Sequence, residues 1–264
     1  MLKIITFANN NYIRPRKLLV SKIKDMNFEC SLISYGKKDL DSEFREKHKS
    51  LLSLKRGYGY WIWKPYLILK TLLQSNENDI IIYIDSTDVP SPIFFDSVIT
   101  HFENNDILLI NTGHLHDEYT KRDCFILMNC DDEKYHNQIQ LEAGILAVRK
   151  TEFNIKLLRE WLKYCSNIFV VTDLPNSKGF PNYKGFKEHR HDQSILTNLS
   201  IKYNIPSIYI NNIELVEFNK LKGRMNIIAL LIFKIKLNLA NLYDFLKNPE
   251  KLRKKTNILF KKDC

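Results

Sequence analysis

Over roughly its first 210 positions, the chain alternates between short apolar runs and longer segments of helical pattern. The short runs predict six strands, which cover residues 3–8, 28–36, 79–84, 106–111, 140–150 and 206–210. The helical patterns lie between them, ending near residue 26 or covering 42–54, 60–74, a segment after 90, 151–165 and 191–204. Pro65 is expected in the first turn of its helix, and Thr151 is expected as the N-cap of helix 151–165. Strands that alternate with helices predict an α/β fold with a mostly parallel central sheet and helices on both faces.

The most apolar of these strands ends on two acids. In the segment DIIIYIDSTDVP, Asp85 follows directly after Ile84, and Asp88 comes three residues later. Ligands of such sheets bind beyond the carboxyl ends of the strands. A divalent cation such as Mg²⁺ or Mn²⁺ would let the acids face a diphosphate, because it binds carboxylate and phosphate oxygens together. The alternatives are that Asp88 is the N-cap of a helix near Pro90 and that Asp85 caps a turn.

Composition is typical of a folded globular protein, but the charge is unevenly placed. Of the 264 residues, 44% are hydrophobic and 27% are charged, with a formal net charge of +10. Residues 220–264 carry +9 of this charge and the rest of the chain carries +1. The five scattered cysteines show no metal-site spacing and predict reduced structural thiols.

The basic C-terminal part is predicted as an extension, residues 219–264, that follows a domain formed by residues 1–218. Its apolar residues recur at intervals of three and four from Ile228 to Leu246, as on one face of a helix. Three partners fit such a basic amphipathic helix: an anionic membrane surface through residues 225–262, the domain itself, or a second copy in a homo-oligomer. No signal segment is visible, so we expect a cytoplasmic protein, peripheral at the inner face of the plasma membrane if the extension binds lipid.

Four segments in order resemble a known family. The Asp85–Asp88 motif resembles the acidic metal motif of GT-A-fold, nucleotide-sugar-dependent glycosyltransferases. RGYGYWIWKPYLIL (56–69) precedes it, and QLEAGILAVRK (140–150) and HRHDQSIL (189–196) follow. This order is similar to bacterial transferases that build capsule or O-antigen polysaccharide, and it covers about residues 1–212. The usual motif is Asp-x-Asp, whereas Thr87 stands here in the place of the second acid.

The resemblance implies a GT-A (Rossmann-like) fold and transfer of a hexose from a nucleotide diphosphate donor, by analogy a UDP-sugar, to a glycan or lipid-linked glycan. It implies Mn²⁺ or Mg²⁺ held by Asp85, Asp88 and His191. It places Asp192, Glu142 and Gln193 in the catalytic centre. The donor would contact Phe7, Ala8, Arg56, Tyr60, Trp63, Lys64 and Gly144.

Several of these residues have a structural alternative. Lys64 offers a point charge for a phosphate at a helix start, and Gly57 and Gly59 permit positive φ. Asp192 could instead be a helix N-cap, and Glu142 a buried, paired structural acid. The glycine- and lysine-rich segment 176–189 predicts a mobile loop that closes over the donor.

Three other functions remain open from the residues. A phosphohydrolase would use an aspartyl nucleophile at a strand end, but Thr87 replaces the second acid that it needs. A nucleotidyltransferase would need a glycine-rich loop after the first strand, which is missing. A membrane or nucleic-acid binder driven by the basic extension would leave the acids unexplained, so we expect no nucleic-acid partner.

Overall fold

The computed structural model describes residues 1–209, which form a six-stranded sheet covered by helices on both faces. The strands are β1 (Leu2–Phe7), β2 (Ser31–Tyr35), β3 (Ile80–Ile84), β4 (Ile107–Leu115), β5 (Ile139–Arg149) and β6 (Ile208–Tyr209). The longer helices are α1 (Ile13–Asp25), α5 (Trp63–Leu73), α6 (Pro92–His101), α9 (Glu152–Cys165) and α11 (His191–Lys202). The short helices are α2 (Ser42–Lys47), α3 (Lys49–Leu52), α4 (Gly57–Tyr60), α7 (Arg122–Leu127), α8 (Glu133–His136) and α10 (Ile168–Val171).

One strand of the sheet runs against the other five. The strand order is β2-β1-β3-β5-β4-β6, and β5 is antiparallel to both of its neighbours. The remaining pairs, β1/β2, β1/β3 and β4/β6, are parallel. The structure therefore confirms the predicted α/β fold with a mostly parallel sheet, and adds that the sheet is mixed.

The reversal of β5 positions the residues that follow β3. Ile84, the last residue of β3, pairs with Ile145, which lies near the middle of β5. One step further, the Asp85 backbone N–H donates to the Gly144 carbonyl at 2.7 Å. The middle of β5 and the carboxyl end of β3 thus lie side by side.

The apolar run of β3 forms two cores because successive side chains point to opposite faces. Ile81 and Tyr83 pack on the face that carries α5 and α9, together with Leu67, Leu158 and Trp161. Ile82 and Ile84 pack on the other face, under α1 and α6, together with Leu19, Ile23, Phe94 and Phe95. Both faces of β3 are buried, which explains why its sequence is continuously apolar.

Helix boundaries follow the sequence signals in most places. Pro65 lies in the first turn of α5, where its missing N–H costs nothing, as predicted. Thr151 caps α9 by accepting from the Asn154 N–H at 3.1 Å, also as predicted. The predicted helix 42–54 is instead two short helices, α2 and α3, that meet at His48.

The predicted basic extension, residues 219–264, lies outside the described residues. Among the helices of residues 1–209, none combines the length and the apolar character that crossing a bilayer requires.

A buried acid at the start of β3 stabilises the fold. Asp79 accepts from Lys3 Nζ at 2.8 Å and from the Asn76 backbone N–H at 3.0 Å. The hydrogen bond from Lys3 is the main reason that the pKa of Asp79 falls to about 2. This carboxylate therefore stabilises the fold above pH 4, and the contribution is lost as the pH falls through about 2.

We expect Asp79→Asn to lower the free energy of unfolding by about 2 kcal/mol at pH 7, as for other hydrogen bonds to a charged group. Urea unfolding at pH 7 and at pH 3 measures it, and the difference from the wild type should be smaller at pH 3. The exposed Asp25→Asn is the matched control and should change little at either pH. An Asp79→Asn deficit that does not vary with pH would contradict the assignment.

Candidate active site

A pocket of about 460 Å³ opens at the carboxyl ends of β1 and β3. Its aromatic wall consists of Phe7, Tyr12, Tyr58, Trp61 and Trp63. Its polar lining consists of Asn9, Lys55, Arg56, Asp85, Ser86 and Thr87, with the backbone of Ala8 and Gly57 between them. The pocket thus brings together five residues assigned to the site from the sequence: Phe7, Ala8, Arg56, Trp63 and Asp85.

The aromatic wall contains nearly parallel rings. Phe7 stacks on Trp63 with ring centroids 4.0 Å apart. The Tyr58 ring is tilted from the Phe7 ring by only 12°, with the centroids 6.3 Å apart. Flat apolar faces beside polar groups suit a ligand that has a planar ring and a charged part.

A left-handed turn shapes one side of the pocket. All five residues from Gly57 to Trp61 have positive φ, as predicted for the two glycines but not for Tyr58, Tyr60 and Trp61. A side chain at Gly57 would stand 2.4 Å from the Trp61 ring. Trp63 Nε1 donates to the Gly57 carbonyl at 2.8 Å and holds the turn in place. Each non-glycine residue in this conformation costs about 1–2 kcal/mol, which tertiary contacts must offset.

Three carboxylates converge on Gly144. The position of a Cβ at Gly144 would be 2.9 Å from Asp88 Oδ2, 2.9 Å from Glu142 Oε1 and 3.2 Å from Asp85 Oδ2. The Asp88 N–H donates to the Asp85 carbonyl at 2.9 Å, so a tight turn holds these two acids together. Helix α6 begins at Pro92 with Ser91 as its N-cap residue, so the alternative that Asp88 is the N-cap is wrong.

The side chain of Lys64 is buried between Asp85 and Asp192. Its Nζ lies 2.9 Å from the Ala143 carbonyl, 3.1 Å from Asp192 Oδ2 and 3.5 Å from Asp85 Oδ1, and its side chain is 3% exposed. Burial by itself lowers the pKa of Lys64, but attraction to Asp192 and Asp85 outweighs it and holds the pKa above its ordinary value. The ammonium group is therefore directed at carboxylates, whereas the sequence predicts a contact with a phosphate.

Asp192 is also fixed by this arrangement. It is the second residue of α11, whose N-cap is Arg190, so the N-cap alternative for Asp192 is wrong as well. Burial raises the pKa of Asp192 to about 6, although Lys64 opposes the shift. The group is thus a carboxylate at neutral pH that takes up a proton more readily than an exposed aspartate.

Glu142 and Gln193 have partners inside the protein. Glu142 Oε1 accepts from the Gly144 backbone N–H at 2.8 Å, and the residue is partly exposed. Gln193 Nε2 donates to Gln140 Oε1 at 3.2 Å, and Gln140 donates in turn to the Tyr119 carbonyl. The catalytic roles assigned to both from the sequence stay predictions.

His191 and Tyr60 meet at a different acid. The His191 Nδ1 lies 2.8 Å from the Val171 carbonyl, and its Nε2 lies 3.7 Å from Asp173 Oδ1. Burial lowers the pKa of His191 to about 4, so the ring is neutral at pH 7. Tyr60 donates to Asp173 Oδ2 at 3.1 Å. His191 therefore contacts Asp173 and not the three carboxylates that converge on Gly144. Its role as a metal ligand stays a prediction.

Asp173 and Tyr83 belong to the site although the sequence gives little sign of them. Asp173 accepts from Arg56 Nη1 at 3.2 Å as well as from Tyr60. It lies between α10 and α11 in a segment without a motif. Tyr83 donates its hydroxyl to Asp85 Oδ1. The two-residue period of β3 places Tyr83 on the same side as Asp85, which is the one signal that could have found it.

The segment 176–189 is anchored along its length. Asp123 Oδ2 accepts from the Ser177 N–H at 2.6 Å and from its hydroxyl at 2.7 Å. Tyr183 donates to Asp131 Oδ1 at 2.7 Å, and the Lys187 N–H donates to the Glu118 carbonyl at 2.7 Å. These contacts argue against the mobile loop that the sequence predicts.

The acids near the pocket fit a metal site that a bound ligand would complete. Within residues 1–209, no group of three or more His, Cys, Asp or Glu side chains is arranged to hold a metal ion. Mg²⁺ at nucleotide sites commonly takes one or two carboxylates and completes its shell with phosphate oxygens and water. Asp85 and Asp88 fit a site of this kind, because an oxygen of each lies close to Gly144, which has no side chain.

Comparison with known proteins gives weak matches. Neither a protein-family model nor a curated protein sequence matches the chain. Solved structures with some similarity include mouse xyloside xylosyltransferase 1 in its apo form, with 10% identity, 79% of this chain and 84% of that chain covered and a TM-score of 0.43.

Two others are a glycosyltransferase involved in glycosylation of the major capsid of PBCV-1 and the galactosyltransferase LgtC in complex with donor and acceptor sugar analogs. The first shares 13% identity over 79% of this chain and 80% of that chain, with a TM-score of 0.37. LgtC shares 15% identity over 78% of this chain and 72% of that chain, with a TM-score of 0.40. All three are glycosyltransferases, but similarity at this level carries no argument about the site or the activity of this chain.

We expect the ion pair of Lys64 and Asp192 to be strongly coupled in the folded protein. Lys64→Met leaves buried acids without their cation and should cost about 3–5 kcal/mol of unfolding free energy. Asp192→Asn in the same chain should restore part of this loss, because it removes one of the uncompensated charges. Urea unfolding of the wild type, both single variants and the double variant measures the coupling. If the effects of Lys64→Met and Asp192→Asn on the unfolding free energy simply add in the double variant, the two residues are not coupled.

Proposed function

We propose that the chain is a GT-A-fold glycosyltransferase that moves a hexose from a nucleotide diphosphate donor, a UDP-sugar, to a glycan acceptor. The observation that carries the proposal is the pocket at the carboxyl end of β3, where stacked aromatic rings lie beside Asp85. A nucleotide sugar has both parts that such a pocket needs, a planar base and a charged diphosphate. The ordered sequence segments of the GT-A type support the same conclusion.

The donor would lie across this pocket. Its base would pack on the aromatic wall, where Tyr12, Tyr58 and Trp61 are the rings that are not buried. Its diphosphate would lie near Arg56 and Lys55, the cations of the lining. Asp85 and Asp88 would hold Mn²⁺ or Mg²⁺ against the phosphate oxygens, and the cation would stabilise the charge on the departing diphosphate.

The acceptor would approach from the side of Asp192. In the transfer, an acceptor hydroxyl forms a bond to the anomeric carbon, the bond to the diphosphate breaks and the hydroxyl loses its proton. Asp192 would take that proton or bind the hydroxyl, since a pKa of about 6 suits proton transfer near neutral pH. Lys64 orients Asp192 through their contact at 3.1 Å, and Glu142 would bind donor hydroxyls.

The biological setting is part of the same proposal. The acceptor would be a surface polysaccharide, of the capsule or O-antigen type, or its lipid-linked precursor. The protein would act in the cytoplasm, with the basic extension, residues 225–262, on the inner face of the plasma membrane. That extension lies outside the described residues, and its support is the sequence pattern alone.

The first test is a thermal-shift panel of nucleoside diphosphates with and without Mn²⁺. We expect one nucleotide to raise the Tm, and to raise it further when Mn²⁺ is present. At a nucleotide concentration a hundredfold above Kd, binding should add about 2.7 kcal/mol to the free energy of unfolding. Asp85→Ala should keep the Tm of the free protein near that of the wild type while it abolishes both the Mn²⁺ increment and sugar transfer. If no nucleotide stabilises the protein, or if Asp85→Ala transfers sugar at the full rate, the proposal is wrong.

A second test uses the contact of the acids with Gly144. In Gly144→Ala the new methyl group would lie 2.9–3.2 Å from three carboxylate oxygens, so the acids must move. We expect nucleotide affinity in the presence of Mn²⁺ to fall at least about tenfold, with a loss of stability of about 1–3 kcal/mol from overpacking. Gly36→Ala is the control, because the nearest atoms to its methyl group are 3.7 Å away. An unchanged Mn²⁺ effect in Gly144→Ala would contradict the metal site.

A further inference from the structure

The outer face of α1 is strongly basic. The helix carries five cations and one acid, a net charge of +4, although residues 1–219 together carry only +1. Leu19 and Ile23 are its buried residues and fix which side faces the sheet. Positions 14, 17, 18, 21 and 22 share the opposite, exposed side, since residues three and four apart are neighbours on a helix. This exposed stripe contains Arg14, Lys17 and Lys22, and one acid, Asp25, is exposed on the same side.

These cations have no partners within the described part of the chain. Among residues 1–209, neither an ion pair nor a hydrogen bond involves the side chain of Arg14, Lys17 or Lys22. Arg16 differs, because it donates to the Tyr35 carbonyl and so secures α1 to the edge strand β2. The outer cations are therefore available to a negatively charged partner.

Apolar side chains are exposed among and beside these cations. On α1, Ile13 and Leu18 are 41% and 42% exposed. Helix α6 covers the same face of the sheet, where its Phe95 stacks on Phe28 just beyond α1 at 5.1 Å. On α6, Ile93 and Ile99 are 57% and 43% exposed, and the exposed acid Asp96 lies between them in the sequence. Cations and aliphatic groups therefore occur on one side of the protein, a combination typical of surfaces that bind membranes.

We propose that the outer faces of α1 and α6 form a docking surface for an anionic lipid bilayer. The cations would lie at the lipid phosphates, and the four aliphatic side chains would enter the headgroup region. A nucleic acid would use the cations but would leave the isoleucines and the leucine in water, so lipid fits the whole surface better. The proposal is independent of the activity proposed above and of the basic extension.

Docking in this way would also set where the pocket lies. Tyr12 stands immediately before α1, is 52% exposed and lines the pocket. With α1 on the bilayer, the edge of the pocket formed by Tyr12 would lie close to the headgroups. Such a position would suit an acceptor that is itself anchored in the lipid.

Lysine footprinting of the full chain tests the surface directly. The chain is treated with an acetylating reagent, with and without vesicles, and each lysine is quantified by mass spectrometry. We expect Lys17 and Lys22 to lose reactivity severalfold with vesicles that contain phosphatidylglycerol but not with pure phosphatidylcholine. Lys156 and Lys163 are exposed on α9, at the opposite face of the sheet, and should not change.

Three results would overturn the proposal. If the chain sediments with the vesicles but the reactivity of Lys17 and Lys22 is unchanged, another region binds the lipid. A chain that does not sediment with anionic vesicles would have no such surface. Protection that appears without vesicles and grows with protein concentration would show that the surface binds a second copy instead.

A charge-matched pair of variants gives an independent measurement. Each variant changes three exposed cations to glutamine, at Arg14, Lys17 and Lys22 in one and at Lys47, Lys156 and Lys163 in the other. We expect the first to lower the affinity for anionic vesicles by about fivefold for each cation and the second to lower it much less. Circular dichroism and the Tm should show that both fold. Equal losses in the two variants, or a loss of binding to duplex DNA but not to vesicles in the first, would refute the lipid surface.

Discussion

The ammonium group of Lys64 connects four elements of the fold at one point. It extends from α5 to the Ala143 carbonyl on β5, to Asp85 after β3 and to Asp192 on α11. Buried carboxylates would repel one another in a medium of low polarity, and the cation makes their proximity possible. The site therefore depends on a charge that itself lies beneath the surface. Through Lys64 the acidic end of β3 and the start of α11 are positioned relative to each other.

Local sequence predicts the elements well because their signals are local. The apolar run of β3 and the Thr151 cap of α9 each depend on a few neighbouring residues, and both are found where predicted. The direction of β5 cannot be found in this way, because an apolar strand has the same pattern in either orientation. That direction decides that Gly144, rather than a residue at the far end of β5, lies beside Asp85.

In the site too, local sequence predicts some features and tertiary structure determines the others. Phe7, Arg56, Trp63 and Asp85 come together in the pocket because each lies at or just beyond the end of an element that the sequence predicts. The partners of these residues are set by tertiary contacts and were missed. Lys64 is directed at acids rather than at the phosphate that the sequence predicts, and Asp173, from a segment without any motif, accepts from both Arg56 and Tyr60.

Both polar groups of the Gly144 backbone are occupied by the acids' own segments. Its carbonyl accepts from Asp85 and its N–H donates to Glu142. The Gly144 main chain thus holds the backbone of Asp85 and the carboxylate of Glu142 on either side of one residue. A shift of β5 along β3 would therefore move the Glu142 carboxylate relative to Asp85, so the register of these two strands is part of the site.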